Sequence, residues 1–135
     1  MARIHLIYLG IDTGYFPGVN HGLASLAAAV RHNGHTLSLH HLASEEGPEA
    51  AVQRAREQSP DIIGFSFTSP PKKYAAIYAA ALHKAMAVLQ IAGGVHPSII
   101  PEEVLKMGFF SGVAVGEAEI SLPELLSRLD QGGRP

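Results

Sequence analysis

Ile62-Ile63-Gly64-Phe65-Ser66-Phe67, entered through Pro60-Asp61 and left through Thr68-Ser69-Pro70-Pro71, is the stretch on which the fold turns. A strand with one wet face alternates apolar and polar residues, but this run is almost continuously apolar, so both of its faces must be covered. Such a strand belongs inside a parallel sheet with helices on both sides. The prolines at either end mark where the extended segment stops.

Working outward, further strand-like runs occupy 4–9, 36–42, 88–92 and 112–115, each followed by a helix-like stretch. The runs at 4–9 and 88–92 are as apolar as the first, whereas 36–42 alternates as an edge strand would. The helical stretches are 20–33, 48–58, 72–86, 101–107 and 121–129. In the first, Leu23, Leu26, Ala27 and Val30 fall at helical spacing and Asn33-Gly34 ends it, glycine being suited to the left-handed conformation that terminates helices. Pro48 suits a first turn, Pro70-Pro71 precede the Ala-rich third stretch, and Ser121 with Glu124 reads as a capping box. Strand and helix in alternation give a doubly wound α/β domain of three layers, αβα, around a five-stranded parallel sheet. Its order is either the flavodoxin-like 2-1-3-4-5 or that of another open, Rossmann-like sheet; five strands are too few for a βα barrel.

A chain of 135 residues, 47% hydrophobic and 16% charged, has the material for one core. We read one domain over 1–130, with 131–135 as a tail or the start of a linker. A net charge of -2 without a basic stripe gives no footprint for nucleic acid. No apolar run approaches the roughly 20 residues that cross a bilayer, and Met1-Ala2-Arg3-Ile4 enters a strand with no cleavage site, so a cytoplasmic location is expected. The absence of cysteine removes disulfides, thiolate metal sites, cysteine nucleophiles and iron–sulfur ligation from this chain.

In open α/β sheets ligands sit beyond the carboxyl ends of the strands, near the reversal of strand order. After the first strand, residues 10–22 form a long loop with four glycines and the aromatic pair Tyr15-Phe16 before Pro17. It serves either to approach a flat ligand or to cover the core. After the third strand, Ser66, Thr68 and Ser69 offer hydroxyls that can bind a ligand amide or phosphate, or cap the next helix. Gly93-Gly94 and His96 follow the fourth strand, where missing side chains admit either something bulky or a turn. Gly116 and Glu117 follow the fifth, and Glu117 also suits a helix N-terminus.

Of eight histidines, His5, His32, His35 and His83 fall away from that crevice, while His21 and His96 converge on it and His40 and His41 end the second strand. Two candidates fall short of the three or four ligands a stable centre needs, so no metal bound directly by the protein is expected. No nucleophile elbow, Walker loop or Gly-x-Gly-x-x-Gly follows the strands, and the third strand lacks the aspartate of a phosphoacceptor. No catalytic residue is assigned.

Taken in order, Phe16-Pro17-Gly18-Val19-Asn20-His21-Gly22-Leu23-Ala24-Ser25-Leu26-Ala27-Ala28, Asn33-Gly34-His35-Thr36, Pro60-Asp61-Ile62-Ile63-Gly64-Phe65-Ser66, Ala92-Gly93-Gly94-Val95-His96-Pro97 and Val115-Gly116-Glu117-Ala118-Glu119 resemble the cobalamin (vitamin B12)-binding domain of cobalamin-dependent radical SAM enzymes. The resemblance runs over nearly the whole chain. It implies a flavodoxin-like domain holding cobalamin at the carboxyl edge, so that any metal enters with the cofactor. Ser66 and Gly93-Gly94 would touch the nucleotide tail, Tyr15 and Phe16 would lie under the corrin, and Pro17, Thr68, Ser69, His96, Gly116 and Glu117 would line the site. Classical cobalamin mutases and methionine synthases carry Asp-x-His-x-x-Gly, but here Asp12-Thr13-Gly14 has glycine where the cobalt-ligating histidine would stand. The resemblance therefore implies base-off cobalamin with no protein histidine beneath it. It also implies a module that is non-catalytic alone, since the cluster cysteines are missing, partnered by a radical SAM catalytic domain in cis or trans and serving methyl transfer. The alternative is a degenerate docking domain of the same fold that has lost the cofactor.

Overall fold

The computed structural model describes residues 2–9, 21–42, 47–66, 72–93, 110–113 and 121–130. Five parallel strands, β1 (Arg3–Leu9), β2 (Thr36–Leu42), β3 (Ile62–Ser66), β4 (Leu89–Gly93) and β5 (Gly112–Val113), form one sheet in the order β2-β1-β3-β4-β5. The order is the flavodoxin-like one of the two expected. β1 begins one residue earlier than expected and β4 lies one residue later, taking in Gly93; residues 67 and 114–115, expected in the third and fifth strands, and the expected helix over 101–107 lie outside the described residues.

Alternation along each strand sorts the core into two layers. Ile4, Ile62, Leu89 and Ile91 point to one face, where they pack with Val30 and Leu26 of α1 (His21–His32) and Leu122, Leu126 and Leu129 of α4 (Ser121–Asp130). Ile7, Ile63, Phe65 and Ala92 point to the other, against Ala51 and Ala55 of α2 (Pro48–Gln58) and Tyr78, Ala79 and Leu82 of α3 (Lys72–Ala85). Phe110, just before β5, meets Phe65 edge to face with ring centroids 5.5 Å apart. These are the three layers expected.

The ends of the elements follow from local chemistry. Gly34 takes φ +84° after α1, its N–H bonding Arg31 O at 3.0 Å while His35 N bonds Val30 O at 3.2 Å. That pair is the Schellman arrangement, which satisfies two otherwise orphaned helix carbonyls. His35, next in sequence, is buried and accepts the Ala2 N–H on Nδ1 at 3.0 Å. A neutral ring with Nδ1 accepting carries its proton on Nε2, which therefore donates to Ser127 Oγ at 3.1 Å. The Gly34-His35 turn thus ties α1, the start of β1 and α4 together. At the amino end of the β1/β3 pair, Asp61 N donates to Arg3 O at 2.8 Å, and Asp61 Oδ2 accepts from Arg3 N at 2.8 Å. Helix α2 starts with Gly47 as N-cap and Pro48 in its first turn, and ends on Ser59 with φ 47° and ψ 55°.

Two substitutions separate conformational strain from packing. A Cβ on Gly34 would meet nothing within 4 Å, so Gly34→Ala should cost only the left-handed backbone penalty, about 1 kcal/mol in urea denaturation. The converse change, Ser59→Gly, relieves the same penalty and should stabilise the domain by up to about 1 kcal/mol in that assay.

Candidate functional site

All five strands run the same way, so their carboxyl ends share one edge. From β2 the chain crosses behind β1 to reach β3, with α1 on one face and α2 on the other, which puts the reversal of strand order between β1 and β3. At that edge Tyr8 of β1 pairs with Ser66 of β3, and Ser66 pairs with Gly93 of β4. By alternation this row lies on the face that carries α1 and α4.

On that face the rows become more polar toward the carboxyl edge. The lowest row, Ile4, Ile62 and Leu89, is packed solid; the next is Leu6, Gly64 and Ile91; the last is Tyr8, Ser66 and Gly93. Gly64 is glycine because its neighbours fill its space: a Cβ there would come 2.9 Å from Leu6 Cδ1 and 3.3 Å from Ile4 Cδ1. Ser66 is half-buried and offers a hydroxyl, and Gly93 offers bare backbone. A sheet edge with a hydroxyl beside bare backbone suits a flat or extended organic group approached by backbone N–H and hydroxyl.

Of the residues singled out from sequence, the structure brings Ser66 and Gly93 together as register neighbours. Tyr15, Phe16, Pro17, Thr68, Ser69, Gly94, His96, Gly116 and Glu117 lie outside the described residues. Sequence reasoning missed Tyr8 and Gly64. The signal for Gly64 was a glycine inside an apolar strand, which marks close approach; the signal for Tyr8 was its parity with Ser66 once the two strands are paired.

The histidines sort by role. His35 is a structural tie, His5 and His40 are buried on the α2 side of the sheet, and His32 and His83 are exposed on helices. Among the described residues no group of three or more His, Cys, Asp or Glu could hold a metal ion. A cleft of about 360 Å³ lined by Arg3, Thr36, Ser38 and Glu57 opens at the amino ends of β1 and β2, the edge opposite the row of Tyr8, Ser66 and Gly93. Among the described residues no helix is long and apolar enough to cross a membrane.

The chain belongs to the B12-binding domain family, whose model matches residues 9–126. Its fold is that of the radical S-adenosylmethionine methyltransferase TsrM from Kitasatospora setae, solved with cobalamin and a 4Fe-4S cluster, at TM-score 0.82 and 19% identity over 98% of this chain and 25% of that one. It is equally similar to part of the cobalamin-dependent S-adenosylmethionine radical enzyme OxsB, solved with aqua-cobalamin, at TM-score 0.80 and 22% identity over 97% of this chain and 19% of that one. The methanol:cobalamin methyltransferase complex MtaBC from Methanosarcina barkeri is more distant, at TM-score 0.62 and 14% identity over 97% of this chain and 47% of that one. The chain thus spans about a quarter or less of the two radical enzymes it resembles. No curated protein sequence matches it.

The packing at Gly64 is directly testable. Gly64→Ala forces Leu6 or Ile4 to shift and should destabilise by roughly 1 to 3 kcal/mol in urea, the range for overpacking. Gly64→Ala combined with Leu6→Val should recover part of that loss.

Proposed function

We propose that this chain is a cobalamin-binding module of a radical SAM-type enzyme, serving methyl transfer and performing no reaction alone. The observation that carries the reading is the coincidence of the family match over 9–126 with the row of Tyr8, Ser66 and Gly93 beside the reversal of strand order. In this reading the nucleotide tail lies over Gly93, with the Ser66 hydroxyl donating to or accepting from it, and Gly94, Thr68 and Ser69 continue the groove. Tyr15, Phe16 and Pro17 lie under the corrin, and His96, Gly116 and Glu117 border it. Bound cobalamin supplies the cobalt centre that carries the methyl group.

Two departures in the sequence define the rest. Gly14 takes the place of a cobalt-ligating histidine, so the cofactor is held base-off by contact with its ring and tail. The chain has no cysteine, so the cluster of a radical SAM reaction belongs to a catalytic domain in cis or trans. The greater length of TsrM and OxsB, of which this chain covers 25% and 19%, supports that division of labour.

The test is to mix the protein with hydroxocobalamin or methylcobalamin, pass it through a desalting column and record its visible spectrum. About one corrin per chain with a base-off spectrum is expected from a preformed groove. Gly93→Val, a change that strands accept, should put a side chain over that bare backbone and abolish retention while the circular dichroism spectrum stays the same. A folded but colourless wild-type protein overturns the proposal in favour of a docking domain without the cofactor.

A further inference from the structure

On the face opposite Tyr8 and Ser66, three polar side chains share a corner beneath α2. His5 and His40 are each 2% exposed, with ring centroids 6.3 Å apart. His5 Nδ1 lies 2.8 Å from Ser38 Oγ, and His5 Nε2 is buried without a hydrogen-bond partner. A protonated ring carries N–H on both nitrogens, so charging His5 would leave a buried donor and a positive charge in an apolar layer. The groups acting on it are His40 from β2 and Arg54 from α2, both of which oppose a positive charge. Its neighbour on β3 is the apolar Ile63. Burial first, then His40 and Arg54, lower the His5 pKa from 6.5 to about 4.

Helix α2 closes this corner with small side chains and rests against α3. The buried residues of α2 are Ala51 and Ala55, with Val52 partly buried, and β2 forms one edge of the sheet. Elements with few buried apolar contacts open at the least cost.

We propose that His5, Ser38 and His40 form a proton-operated catch for α2: with His5 neutral the helix sits closed over β1 and β2, and uptake of a proton by His5 releases it while α3 and the central strands stay packed. The catch shares β1 with Tyr8, three residues on at the carboxyl edge. It does not depend on cofactor binding.

The sign follows from the two proton affinities. The open corner returns His5 toward 6.5 while the closed one holds it at about 4, so the open form binds more protons between those values. Closure is fully favoured above about pH 6.5 and is lost as pH falls toward 4. At pH 5.5 opening gains on the order of tenfold over neutral pH.

Amide hydrogen exchange of the full chain at pH 7.5 and 5.5, each referred to the intrinsic rate at that pH, tests the catch. Protection across Pro48–Gln58 should fall about tenfold at the lower pH while that of Lys72–Ala85 and Ile62–Ser66 holds. His5→Gln should abolish the fall. Protection in α2 that follows α3 at both pH values overturns the catch, and that comparison, made on the unaltered chain, decides alone if His5→Gln does not fold.

Discussion

Everything in this domain depends on the two-sided burial of β3. Ile62 and Gly64 look toward α1 and α4, Ile63 and Phe65 toward α2 and α3. A slip of one residue against β1 or β4 would exchange the two sets and place Phe65 where Leu6 now leans over Gly64. The same parity that packs the core sets Ser66 between Tyr8 and Gly93 at the carboxyl edge. Core and candidate site are therefore one decision about register, made where helices cover both faces.

That decision was legible in the sequence because a continuously apolar run of strand length has few homes. The edge position of β2 was equally plain from its alternation, and Gly34 marked the end of α1. Ser59 was not foreseeable: a serine in the left-handed region is a tertiary outcome, imposed where the chain leaves α2 for Pro60 and the Asp61 bonds to Arg3. The site was legible only in part. Ser66 and Gly93 could be named from their loops, but Tyr8 enters only when strands are paired, and pairing is a long-range property that local pattern does not contain.

Histidine shows the same limit from the other side. Eight of them suggest metal or acid–base chemistry, yet His35 is spent on a tie between Ala2 and Ser127, and His5 on a bond to Ser38 beneath a helix. For His35, burial and partners decide that it is architecture. The Gly-His turn belongs with these, since its glycine supplies a backbone conformation and its histidine the bonds that anchor three elements.

The packing of Leu6 over Gly64 has a consequence for how such a sequence can change over time. The two positions, on neighbouring strands, hold a single allotment of volume, so neither can drift independently. A lineage that enlarges residue 64 must first have shortened residue 6, and the reverse order passes through an overpacked intermediate. Because that shared volume lies one row beneath Ser66 and Gly93, the permitted order of steps couples the history of the core to the footing of the carboxyl edge.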